Sequence, residues 1–95
     1  MTKEKQRCRI TMNITGMVQG VLFRHSAKAQ AEMLGLSGCA KNMDNGSVEI
    51  VAEGKRDNLE KLLQWAREGP RHAKVESIDY TWGEPTGTFS EFRIL

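Results

Sequence analysis

The stretch Gly16-Met17-Val18-Gln19-Gly20-Val21-Leu22-Phe23-Arg24 brings together residues that can hold an anion. Two glycines let the backbone curl with its N–H groups turned inward, and the first turn of a following helix adds unpaired N–H groups and the positive end of a dipole. An arginine at the start of that helix can close on the anion with its planar fork of donors. The stretch is not a nucleotide-binding P-loop, since no Gly-Lys-Ser/Thr follows, and its glycine spacing does not fit the dinucleotide fingerprint. The same residues also suit a plain tight connection, in which the glycines serve sterics and Arg24 is an ordinary surface cation.

Asn42 is the second candidate. Asparagine is disfavoured in strands, and its amide both donates and accepts, which suits orienting a water molecule; it is equally at home as a strand-end or turn residue. His25 and His72 are the only histidines, and their spacing fits no zinc motif with Cys8 and Cys39, so no metal site is expected. His25 follows Arg24 directly, and a solvent-facing helical position is expected for it.

The elements that must position these residues follow from periodicity. Cys8, Ile10, Met12 and Ile14 alternate with Arg9, Thr11, Asn13 and Thr15, which predicts a half-buried strand over 8–15, followed by a short loop bracketed by Gly16 and Gly20. Phe23, Ala27, Ala31 and Leu34 recur at helical spacing, with Gly35 where a helix ends. A second strand is expected over 37–43, a tight Asp44-Asn45-Gly46 turn with Asn-Gly at positive φ, and a third strand over 48–52. Asp57 and Glu60 read as a capping box that opens a second helix, whose Leu59, Leu62, Leu63 and Ala66 form one apolar stripe ended by Gly69-Pro70. A fourth strand is expected over 75–82, with Ile78, Tyr80 and Trp82 on one face, and a short last strand over 91–95. The order β-α-β-β-α-β plus a small C-terminal strand predicts an α+β, ferredoxin-like split β-α-β sandwich, with two helices on one face of an antiparallel sheet. In that sheet order the third strand lies between the first and second. Cys8 and Cys39 are then ~9.6 Å apart, beyond the ~7 Å that a disulfide allows, and free thiols are expected. Trp65 and Trp82 are read as core-edge packing.

Size and charge limit the alternatives. Ninety-five residues make one domain, 1–95, with 1–7 expected as a flexible N-terminal segment. No apolar run approaches the ~20 residues a bilayer requires. The formal charge of +2 comes from interleaved signs, 14 Lys+Arg against 12 Asp+Glu, which speaks for a solvated mixed surface and against a nucleic-acid face. No apolar segment follows the charges at residues 3–7, so a cytoplasmic protein is expected.

The nine-residue loop stands with Leu34-Gly35-Leu36, Gly38, Lys41-Asn42, Gly46-Ser47-Val48-Glu49, Gly69-Pro70, Ala73-Lys74-Val75 and Phe89-Ser90-Glu91-Phe92-Arg93-Ile94. In this combination the chain resembles the acylphosphatase family over essentially everything after residue 7. The resemblance implies the ferredoxin-like fold and a hydrolase that splits acyl phosphates into a carboxylate and inorganic phosphate, without metal or cofactor. Its partners would be a small-molecule acyl phosphate and inorganic phosphate, the latter as product and inhibitor, with the protein a monomer that binds neither nucleic acid nor membrane. By the family's pattern the amides of Gln19, Gly20, Val21, Leu22 and Phe23 and the guanidinium of Arg24 hold the phosphoryl oxygens, and Asn42 positions the attacking water. No general base is present, but a carboxylate leaves readily and a phosphoryl oxygen can take the water's proton. Leu22 and Cys39 depart from the residues common in the family, which bears on substrate preference. Two other readings share the fold: a non-catalytic phosphate- or ligand-binding module, and an RNA binder, which would need paired sheet-face aromatics that the sequence lacks.

Overall fold

Apolar and polar residues alternate along the first strand, and burial follows that period. In the computed structural model, which describes residues 6–95, Ile10, Met12 and Ile14 of β1 (Arg7–Met17) are fully buried and Thr11, Asn13 and Thr15 only partly. The strand is longer than expected. Arg7 pairs with Lys55, and Gly16 and Met17 pair with β4 (Lys74–Gly83), so Gly16 belongs to the sheet and not to the loop. The Lys74 carbonyl and the Glu76 nitrogen approach Gly16 so closely that a Cβ there would overlap them, beside a register shift between Thr15 and Gly16. Of the segment expected to be flexible, residues 1–5 lie outside the described residues. Gln6 and Arg7 are held, by a hydrogen bond from Arg56 N to Gln6 O (2.8 Å) and by the pairing with Lys55.

Helix α1 (Phe23–Met33) buries Phe23, Ala27 and Ala31, as its spacing requires. β2 (Ser37–Asn42) and β3 (Val48–Lys55) form a hairpin, closed by Met43 N to Ser47 O (2.8 Å) and Gly46 N to Met43 O (3.1 Å). The Asp44-Asn45-Gly46 turn forms where expected, as a three-residue loop ending in a left-handed glycine, but only Gly46 has positive φ (93°) and Asn45 does not. Asn45 instead accepts from Ser47 N through its side chain at 3.0 Å.

α2 (Arg56–Glu68) buries the predicted stripe of Leu59, Leu62, Leu63 and Ala66. The capping box does not form. β3 runs on through Lys55, the helix starts at once at Arg56, and Asp57 falls in its first turn with Oδ1 buried and unpaired. Glu60 pairs back to Arg56 at 3.0 Å. Trp65 meets Phe23 at a centroid distance of 5.3 Å and the Arg56 guanidinium covers Trp82 at 3.6 Å, so both tryptophans pack at the core edge.

The sheet order is β4-β1-β3-β2-β5, with β5 (Phe92–Ile94) at one edge. Four strands are antiparallel, but β5 runs parallel to β2, which makes the sheet mixed. β4 ends at the end of the sheet where β2 begins, so the returning chain enters β5 in the direction of β2. Cys8 lies opposite Gly54 and Cys39 opposite Val51, an odd separation along β3 that places them on different faces; both are free. Burial pushes the Cys39 thiol above its ordinary range, with Glu49 adding to the effect.

The returning segment is tied to the uncovered face of the sheet through Glu53, whose side chain is only 3% exposed. Its carboxylate accepts from Thr86 N (2.9 Å), Thr86 Oγ1 (2.9 Å), Gly87 N (3.0 Å) and Arg9 Nη1 (2.8 Å). Burial pushes this carboxyl up, but the donated hydrogen bonds outweigh it and bring the pKa from 4.5 down to about 2. A carboxylate with a depressed folded pKa stabilises the protein above its unfolded value and loses that contribution as pH falls through the folded one. We expect about 3 kcal/mol to disappear between pH 4.5 and pH 2. Urea unfolding across that range checks it: Glu53→Gln should lower stability at pH 6 and flatten the acid limb, and an unchanged limb would refute the assignment.

Candidate active site

The loop Val18–Leu22 leaves the top of β1 and delivers Arg24 in the first turn of α1. Asn42 ends β2, and the register Gly38↔Ala52, Ala40↔Ile50, Asn42↔Val48 puts it on the helix-covered face, beneath the start of α1. The structure thus brings together the two candidates that the sequence separates by 18 residues. A cavity of about 180 Å³ opens between them, lined by Val18, Gly20, Leu22, Phe23, Arg24, His25 and Asn42. His25 is exposed, as expected, and also reaches this rim. A larger hollow, about 490 Å³ between Arg7, Leu36 and Phe89, lies at the opposite end of the sheet, away from the loop and the helix start.

The donors at the cleft are free to serve a ligand. α1 has no side-chain cap and no acidic residue in its first turn. Its first helical bond runs from Ser26 N to Leu22 O (3.0 Å), so the N–H groups of Phe23, Arg24 and His25 precede the ladder. Among the described residues no protein acceptor takes the N–H of Gln19, Gly20, Val21 or Leu22. Arg24 Nη1 donates to the Leu95 backbone oxygen at 2.6 Å, and no Asp or Glu side chain among the described residues pairs with it. Leu95 N in turn donates to Ala40 O (2.9 Å), so the end of β5 helps to aim the arginine.

The Gln19 side chain has a further task that its type and position did not reveal. Its Nε2 donates to Met43 O (2.8 Å) and Ser47 O (2.9 Å), stitching the loop to the turn that follows Asn42. Ser47 is buried, and its hydroxyl lies 2.9 Å from Asn13 Oδ1 and 2.7 Å from Asn45 Oδ1. Loop, turn and sheet are thereby fixed to one another. Among the described residues no three His, Cys, Asp or Glu side chains gather as a metal-ligand group.

A βαββαβ sandwich with unpaired amides, one arginine and one asparagine around a cleft is a small ferredoxin-like protein with a candidate anion site at its first strand–helix connection. The family model described as acylphosphatase matches residues 10–94. The chain is similar to the acylphosphatase of Roseiflexus sp. (strain RS-1), 45% identical over 82 residues, 86% of this chain and 88% of that protein. Its fold is similar to the acylphosphatase structures from Coxiella burnetii (TM-score 0.87, 38% identity, 94% of this chain and 93% of that one) and Bacillus subtilis (TM-score 0.89, 32% identity, 93% and 98%). The chain belongs to the acylphosphatase family, enzymes that hydrolyse acyl phosphates.

Proposed function

We propose that hydrolysis runs in the cleft between the Val18–Leu22 loop and Asn42. The amides of Gln19, Gly20, Val21, Leu22 and Phe23 and the fork of Arg24 hold the three phosphoryl oxygens. Asn42 orients a water for in-line attack. The water oxygen bonds to phosphorus, the bond from phosphorus to the acyl oxygen breaks, and the carboxylate leaves with the electron pair. The water's proton passes to a phosphoryl oxygen, so neither a protein base nor a metal is required. Positioning and electrostatic stabilisation carry this chemistry, and preorganised amides next to an arginine provide both.

The observation that carries the reading is the uncapped start of α1, with Gly20 and Leu22, whose amides are unpaired among the described residues, lining the same cavity as Arg24 and Asn42. The test is benzoyl phosphate turnover with and without a chelator. We expect equal rates in both and competitive inhibition by inorganic phosphate. Phosphate binding without turnover would replace the enzyme by the non-catalytic module, and loss of activity with the chelator would refute metal-independence.

The same reading makes the chain one domain over residues 1–95, a cytoplasmic monomer that meets a small-molecule acyl phosphate and neither nucleic acid nor membrane. Two free cysteines suit a reducing compartment, and interleaved charges suit a solvated surface. Light scattering at the monomer mass and passage through an RNA column at low salt are the expected results.

A further inference from the structure

We propose that the Leu22 side chain is the wall on which the acyl part of the substrate packs, so that this chain favours acyl phosphates with an apolar acyl group. The inference rests on the placement of phosphate and water given above.

Leu22 is the one non-glycine among the described residues with a left-handed backbone, φ 63° and ψ 26°. That conformation crowds the Cβ of any L-residue and is most awkward for a bulky one. The side chain gains nothing from the core in return, since it is 70% exposed. Its described hydrogen bond is through the backbone, where Leu22 O accepts from Ser26 N, and a glycine would make that bond equally well; the side chain is not among those packed on the core cluster. An apolar side chain that is both strained and exposed at a functional cleft points to a role in ligand contact.

The geometry of attack says which part of the ligand it meets. In-line displacement puts the incoming water and the departing carboxylate on opposite sides of phosphorus. With the water on the Asn42 side, the acyl group projects toward the loop, where Leu22 and His25 form the rim. Of these two, Leu22 is the one that can bury hydrocarbon against hydrocarbon and release water.

The test compares kcat/KM for hexanoyl phosphate and acetyl phosphate in the parent, Leu22→Gly and Leu22→Asn. Both replacements tolerate a left-handed backbone, so neither depends on a refolded loop. The hexanoyl-to-acetyl ratio should fall at least about tenfold in both variants, the lower end of what a pocket gains from a single methylene, and the two substrates differ by four. An unchanged ratio, including an equal loss on both substrates, would overturn the proposal and leave the placement of phosphate and water standing. A parent enzyme that hydrolyses neither substrate would overturn both.

Discussion

Arg24→Ala is expected to lower kcat/KM for benzoyl phosphate about a thousandfold or more while leaving the fold intact. One donor to a developing oxyanion is worth roughly 10²–10³ in rate, and Arg24 adds a full charge and a second arm to that. Its described protein contact is one hydrogen bond to Leu95 O, whose loss costs about 1 kcal/mol of stability. Activity and the unfolding midpoint should therefore separate sharply. Arg24→Lys should recover little of the loss, because a point charge cannot span two phosphoryl oxygens and also keep Leu95 O as a partner. An alanine variant within tenfold of the parent would remove Arg24 from the cradle.

Asn42→Ala is expected to act on a different constant. If the amide orients water and leaves phosphate to the loop, kcat falls about 10²–10³ while the inhibition constant for inorganic phosphate changes little. Asn42→Asp keeps the shape but sets a negative charge beside a phosphoryl group, and should be as slow and also bind phosphate less well. Parallel loss of phosphate affinity and kcat in Asn42→Ala would place the residue in the cradle and not on the water. The backbone of Asn42 is fixed by pairing with Val48, so neither change should unfold the sheet.

The elements were legible because their signals are local. Ile10, Met12 and Ile14 carry the period of β1 within five residues, and Leu59, Leu62, Leu63 and Ala66 carry that of α2 within eight. What escaped reading depends on residues far apart in the chain. The capping box at Asp57 failed because β3 continues through Lys55 to pair with Arg7, 48 residues earlier. Gly16 reads as a loop glycine from its sequence neighbours, and what places it in the sheet is a strand much later in the chain, whose Lys74 carbonyl packs against it. At the candidate site, Arg24 and Asn42 were legible through their residue types and the family pattern. The side-chain role of Gln19 is not legible, since nothing near it in sequence announces acceptors at Met43 and Ser47. The hold of Leu95 on Arg24 spans 71 positions and leaves no local trace.

The strand order has a kinetic consequence. In β4-β1-β3-β2-β5 only β2 and β3 are neighbours both along the chain and in the sheet. That hairpin can close over a three-residue loop within microseconds, whereas every other pairing must first meet the entropy of a long closure. Asn42 belongs to the hairpin, whereas Arg24 follows β1, whose place beside β3 is a non-local pairing. A chain that has folded the hairpin alone has no cleft, so recovered turnover reports the non-local pairings and not the first structure to form.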